Sequence, residues 1–111
     1  MSKIKEGRMF TPQFFKALCD PNRMNILQWL AKKNKSCCVG EISTCCQVDL
    51  SVVSRHLSQM KAAGFLTSER RGKEVFYHVN AKTVVHVLRS LADFLDGCCL
   101  TKKLKGGEKN D

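Results

Sequence analysis

Apolar positions recur at helical spacing through most of this chain, and the period changes once, before the last long helix. Phe14, Phe15 and Leu18 make the first apolar face. Thr11-Pro12 starts their helix, with a hydroxyl placed to cap it and proline at the first helical position. Cys19 lies near its end. Asp20-Pro21 breaks that helix and begins the next. Met24, Ile26, Leu27 and Leu30 then repeat at helical spacing up to the polar turn Lys32-Lys33-Asn34-Lys35. A third, short helix is expected over 38–46, with Val39, Ile42 and Cys46 on one face. Gln47-Val48-Asp49 is a tight connection, and Asp49 suits the N-cap of a fourth helix over 50–63. Val53, Leu57 and Met60 form its inward stripe, and Gly64 stops it.

Residues 65–70 and 74–79 are rich in β-branched and aromatic side chains, with Arg71-Gly72-Lys73 between them, which predicts a β-hairpin with glycine at its tip. Asn80 caps a last helix over 81–99. Val84, Leu88, Leu91 and Leu95 step along it at helix spacing. Val87 and Phe94 widen that stripe beyond what one small core needs, so the helix is expected to face a partner as well. The chain therefore reads as one mainly α domain over 11–99, with four helices, a hairpin and a long helix in that order. An N-terminal extension, 1–10, precedes it and a basic tail, 100–111, follows.

Composition sharpens this picture. The 111 residues are 43% hydrophobic, ordinary for a globular domain and too high for a disordered chain. Nineteen Lys and Arg against ten Asp and Glu leave a net charge of +9. That balance favours a polyanionic partner, nucleic acid before an anionic membrane. Part of the excess lies in the tail, on Lys102, Lys103, Lys105 and Lys109, and the rest lies in the folded region. No apolar run is long enough to span a bilayer, and residues 1–8 lack an apolar signal core, so a cytoplasmic location and no membrane partner are expected. Seven cysteines in a reducing compartment read as ligands or redox thiols more readily than as a disulfide framework. Their arrangement as three adjacent pairs plus one also fits a disulfide scaffold poorly.

Two short helices joined by about three residues, the second capped by Asp49, match a helix-turn-helix. The second helix of such a motif enters the major groove with its N-terminal residues toward base edges. Here those are Leu50, Ser51, Val52, Ser54 and Arg55. Ser51, Ser54 and Arg55 lie opposite Val53 and Leu57, as small polar or cationic groups suited to bases and phosphates. Lys61, further along, is placed to reach the backbone. The hairpin tip adds Arg70, Arg71 and Lys73, for phosphate or the minor groove; the alternative is an ordinary solvated turn. His56 faces either the groove or the first helix of the motif, and His78 and His86 read as structural or solvated.

Three segments carry a family resemblance. Asp20-Pro21-Asn22-Arg23-Met24-Asn25-Ile26-Leu27 resembles the opening segment of the ArsR/SmtB family of metal-sensing repressors. Val53-Ser54-Arg55-His56-Leu57, with Ala63-Gly64-Phe65-Leu66, resembles its recognition helix, and Gly72-Lys73-Glu74-Val75-Phe76-Tyr77 its wing. The similarity runs over about 14–95. It implies a winged helix-turn-helix homodimer, joined through the first and last helices. It also implies repression by binding an inverted-repeat operator in double-stranded DNA, and release by an inducer. By position the DNA-contacting residues carry over to Leu50, Ser51, Ser54 and Arg55; Leu50 departs from the polar residue often found there.

The cysteines suggest the inducer. Zinc-binding members carry an Asp-x-His pattern early in the last helix, where this chain has Asn80-Ala81-Lys82. Arsenite-sensing members often place two cysteines one residue apart on the third helix; here Cys38 is present, Gly40 replaces the second, and Cys37 is adjacent. Other arsenical sensors place an adjacent pair at the end of the last helix, where Cys98-Cys99 lies after Gly97. Soft thiolates select thiophilic ions. Trivalent arsenic or antimony seeks three sulfurs, a methylated arsenical only two. The metalloid site is therefore expected first at Cys98 and Cys99 and second at Cys37 and Cys38, which are read as exposed pairs. Cys45 and Cys46 are read as packing residues and Cys19 as structural. The expected function is an arsenite-, antimonite- or methylarsenite-responsive repressor with no organic cofactor. Redox or persulfide sensing, and cadmium, zinc or mercury sensing, are alternatives on the same fold. No catalytic cysteine–histidine arrangement is visible, so no enzyme is expected.

Overall fold

The computed structural model describes residues 11–100. Thr11 caps helix α1, Pro12–Lys16, by accepting a hydrogen bond from the Phe14 N–H at 3.3 Å. Asp20 does the same for α2, Pro21–Lys33, accepting from Asn22 N–H at 2.7 Å. Both helices put proline at the first turn, where no N–H is missed. Asn34 closes α2 in the left-handed region, a conformation asparagine tolerates better than most side chains.

The segment expected as one helix over 38–46 is instead broken three ways. Cys37–Cys38 is a short strand, β1; Val39–Ile42 is one helical turn, α3; Ser43–Cys45 is a 3₁₀ turn. Cys46 is already extended, with φ −126° and ψ 153°. At the start of the segment the cause is long-range. Strand β1 pairs antiparallel with a later strand, Cys37 opposite Tyr77 and Cys38 opposite Phe76, and that pairing holds the two residues out of the helix.

Helix α4 runs Leu50–Ala63 and ends at Gly64, whose φ of +100° is open to glycine and strained for side chains. Asp49 occupies the N-cap position in an extended conformation, and its carbonyl accepts from the Val52 and Val53 N–H groups. Strands β2, Leu66–Arg71, and β3, Glu74–Val79, form the expected hairpin. Its two-residue loop, Gly72-Lys73, has positive φ at Gly72 alone, the pattern of a type II′ turn. The sheet order is β1-β3-β2, so the hairpin is anchored on the body of the domain by the two residues of β1.

The core gathers Phe14, Ile26, Leu30, Ile42, Leu57 and Phe65, with Val53, Met60 and Leu66 sealed beside them. The last helix, α5, Ala81–Leu95, buries only Val84 and Val87 in this core and continues as a π-helical turn, Asp96–Leu100. Leu88 and Leu95 remain 44% and 47% exposed. The expected stripe is therefore divided: its start serves this domain and its far end is open. Among the described residues no helix is long and apolar enough to cross a membrane.

Candidate nucleic-acid interface and thiol sites

Helix α4 is two-sided. Val53, Leu57 and Met60 are fully buried, as its periodicity requires. Leu50, Ser51, Ser54 and Arg55 lie exposed on the other side, and Lys61 is exposed further along. Leu50, 54% exposed, is a bare apolar group at the outer N-terminal corner of the helix. An apolar side chain there offers contact to a thymine methyl, where a polar one would offer a hydrogen bond.

Two polar contacts fix the inner flank of α4 against α2. The Arg23 guanidinium donates to the Gln59 side-chain carbonyl. His56 is buried, with Nε2 3.8 Å from the Asp20 carboxylate at the start of α2. Of the two orientations the sequence left open for His56, the structure chooses the inward one. Its ring lies beside the Asp20 cap of α2.

The wing is less uniform than its sequence. Arg70, Arg71 and Lys73 are all exposed. Arg71, however, is held by its own strand. Its Nε donates to the Glu69 carboxylate at 2.9 Å, and its guanidinium lies 4.5 Å over the Phe76 ring. The same hydrogen bond holds the Glu69 carboxyl below its usual range. Arg71 is thus partly neutralised and positioned, while Arg70 and Lys73 project their charges at the tip.

All seven cysteines are free thiols, and the structure sorts them differently from the sequence. Cys37 is 0% exposed, a correction to its reading as half of an exposed pair. Successive strand residues point to opposite faces. Cys38 accordingly opens on a cleft of about 430 Å³ with Leu50 and Lys73, while Cys37 lines a separate one with Trp29 and Glu41. Burial, and then the nearby Glu41 carboxylate, push the Cys37 thiol above its ordinary range. Glu41 itself is drawn down, chiefly because its carboxylate accepts from Cys38 N–H at 3.0 Å. At Gly40, where the resembling sensors carry a second cysteine, an added side chain would meet open space.

Cys19 is exposed, against its structural reading, and its thiol reaches only the Phe15 carbonyl at 3.7 Å. Cys98 and Cys99 are exposed in the terminal π turn, as expected. Cys45 and Cys46 are half-buried against the core, with their sulfurs 3.7 Å apart. Their packing agrees with the sequence reading; the approach of the two sulfurs is what helical spacing alone does not bring about. Among the described residues no three His, Cys, Asp or Glu side chains gather as a metal-binding group.

Comparison with known proteins agrees with this architecture. The family profile described as "Bacterial regulatory protein, arsR family" matches residues 20–68. An arsenical resistance operon repressor of Bacillus subtilis strain 168 is 30% identical over 96 residues, covering 86% of each chain. A transcriptional repressor SmtB homolog of Synechocystis is 30% identical over 83 residues. That match covers 75% of this chain and 61% of the longer relative. Among solved structures, an ArsR-like transcriptional regulator from Rhodococcus sp. RHA1 superposes with a TM-score of 0.71 at 22% identity, over 96% of this chain and 92% of the other. That likeness establishes the winged helix-turn-helix fold.

Proposed function

The chain belongs to the ArsR family of bacterial regulatory proteins, and on that premise we propose that it is a homodimeric, cytoplasmic transcriptional repressor, released from an inverted-repeat operator when cysteine sulfurs bind a trivalent arsenical. The observation that carries this reading is the outer face of α4. It presents Ser51, Ser54 and Arg55 beside a cationic hairpin tip, on a helix whose inner face is fully sunk in the core. Such a helix can be offered rigidly to a groove, with Ser54 and Arg55 reading base edges and Lys61, Arg70 and Lys73 holding phosphates. Two copies joined through α1 and the open face of α5 would place two such helices about one DNA turn apart.

Phosphate contacts set the salt dependence of binding, so the wing gives a direct test of the interface. Arg70→Ala and Lys73→Ala are each expected to weaken binding to all sequences alike and to lower the slope of log affinity against log salt by about 1. Arg71→Ala is expected to change it less, because Glu69 already compensates its charge. Fluorescence anisotropy across a salt series reads all three. Equal slopes for all three variants and the wild type would remove the wing from the interface.

The inducer site is assigned to Cys98 and Cys99. Both are exposed, and both sit where α5 loosens into a π turn, at the far end of the apolar face. A methylarsenite-type ligand needs two sulfurs, which this pair supplies; arsenite would need a third. Binding there shifts the end of α5 and, through the dimer contact, the spacing of the two recognition helices. A coupling free energy of about 1–3 kcal/mol is enough for regulation. That the Bacillus subtilis relative is an arsenical resistance operon repressor supports an arsenical inducer. To confine the readout to this pair, operator titration with methylarsenite is made on reduced Cys45→Ser/Cys46→Ser protein, which is expected to be released, and on the same protein with Cys98→Ser/Cys99→Ser added, which is expected to stay bound. Undiminished release after Cys98 and Cys99 are also replaced would refute the assignment of this pair.

A further inference from the structure

We propose that Cys45 and Cys46 form a second dithiol site, for a monosubstituted trivalent arsenical, built into the turn that leads to the recognition helix. The backbone creates it. Cys45 ends a 3₁₀ turn and Cys46 is extended, so the chain bends between them and two neighbouring side chains that would otherwise diverge converge. Their sulfurs lie 3.7 Å apart. With a sulfur distance of about 2.3 Å, as for thiolate-bound zinc, one thiophilic atom would see them at roughly 107°. The two sulfurs already stand at bridging distance. A disulfide, with sulfurs about 2.05 Å apart, would instead require them to close by roughly 1.6 Å. The geometry thus favours bridging by one atom over oxidation.

The chemistry selects the ligand. A monosubstituted trivalent arsenical in water is a dihydroxide, with one carbon and two hydroxyls on arsenic. Condensation with two thiols forms two As–S bonds, breaks two As–O bonds and releases two waters, the thiol protons leaving on the hydroxyls. No electron is transferred and no net proton is released. Burial, then hydrogen bonding to Cys46 and its charge, push the Cys45 thiol up to about 12. A divalent ion would have to expel both protons and find further ligands, and no third ligand gathers here among the described residues.

Filling the site has a direct route to DNA. Both cysteines pack against the core, and only Gln47, Val48 and Asp49 separate Cys46 from the first residue of α4. A ring closed through both sulfurs fixes the turn in a new shape and re-aims the start of that helix. This consequence rests on the reading of α4 as the DNA-binding helix; the binding of the arsenical does not.

The test uses the full chain carrying Cys19→Ser, Cys98→Ser and Cys99→Ser, with phenylarsine oxide as probe. Intact mass spectrometry is expected to show one adduct per chain, lost when either Cys45→Ser or Cys46→Ser is added. Operator affinity of the triple variant is expected to fall at least tenfold on adduct formation. An adduct that survives both additional substitutions, or no adduct at all, overturns the site. An adduct that leaves operator affinity unchanged overturns the route to DNA. Should the serine variants not fold, alkylation of the triple variant decides. Protection of Cys45 and Cys46 by the arsenical supports the site, and their free alkylation overturns it. If the triple variant fails to bind operator before any arsenical is added, the DNA-binding reading is at fault while the mass measurement still stands.

Discussion

Leu88→Glu combined with Leu95→Glu is expected to convert the protein to a folded monomer that no longer holds a two-half-site operator. Both side chains belong to the stripe of α5, yet they stand nearly half exposed, whereas Val84 and Val87 on the same helix are buried in their own domain. The substitutions therefore leave the single-chain core intact and act on what covers the far end of the helix. Burying one large aliphatic side chain is worth about 1.5–3 kcal/mol. Since less than half of each side chain remains to be covered, two per protomer, counted in both copies, come to roughly 3–5 kcal/mol. At about 1.4 kcal/mol per tenfold, the dimer dissociation constant rises by about 10²- to 10⁴-fold. Four carboxylates brought into one apolar contact add to that. Sedimentation equilibrium should show the dimer lost at micromolar concentration, with circular dichroism unchanged. A variant that remains dimeric would place the interface elsewhere on the chain.

The same helix shows how far the sequence could be read. Its apolar stripe was plain, and so was the excess over one core's needs. The caps at Thr11 and Asp20, the inward face of α4 and the glycine-tipped hairpin were equally legible. Each rests on a local rule, a period or a cap, that operates within a few residues. What escaped notice is non-local. Strand β1 exists because Cys37 meets Tyr77 forty positions away, and a two-residue strand has no period of its own. That single pairing buries Cys37, turns it away from Cys38 and breaks the expected third helix. Further along, a 3₁₀ turn followed by extended Cys46 brings its sulfur to that of Cys45, which helical periodicity does not show. The exposure of Cys37 was thus misjudged for a structural reason, whereas Cys45 and Cys46 pack against the core as their sequence reading had them. On the wing, composition counted three cations, but it could not show that Glu69 and Phe76 already engage Arg71. The proposed extension over 1–10 and nearly all of the basic tail lie outside the described residues.

Phe65→Ala is expected to be the most destabilising single substitution in the core. Phe65 is fully buried, and its ring stacks on Phe14 with centroids 4.4 Å apart and planes inclined by 23°. Its backbone joins three elements as well. The Phe65 N–H donates to the Met60 carbonyl at the end of α4, and its carbonyl accepts from Asn80 N–H at the start of α5, both at 2.9 Å. Alanine keeps those two hydrogen bonds and removes the ring, so the measured loss isolates packing. Phenylalanine-to-alanine changes in cores cost about 3–5 kcal/mol. A domain whose whole stability is about 5–15 kcal/mol would lose about a fifth of it or more. At about 4–8 °C per kcal/mol, the melting temperature should fall by at least roughly 12 °C. Wild type and variant must be compared at matched concentration, because a dimer's stability depends on it. Phe14→Leu, alone and with Phe65→Ala, completes a double-mutant cycle. A coupling of about 0.5–1.5 kcal/mol is expected if the two rings interact beyond the area they bury. Additivity would mean that α1 is held by burial alone. A loss under about 1 kcal/mol for Phe65→Ala would mean that the junction of α4, the hairpin and α5 is not packed as described.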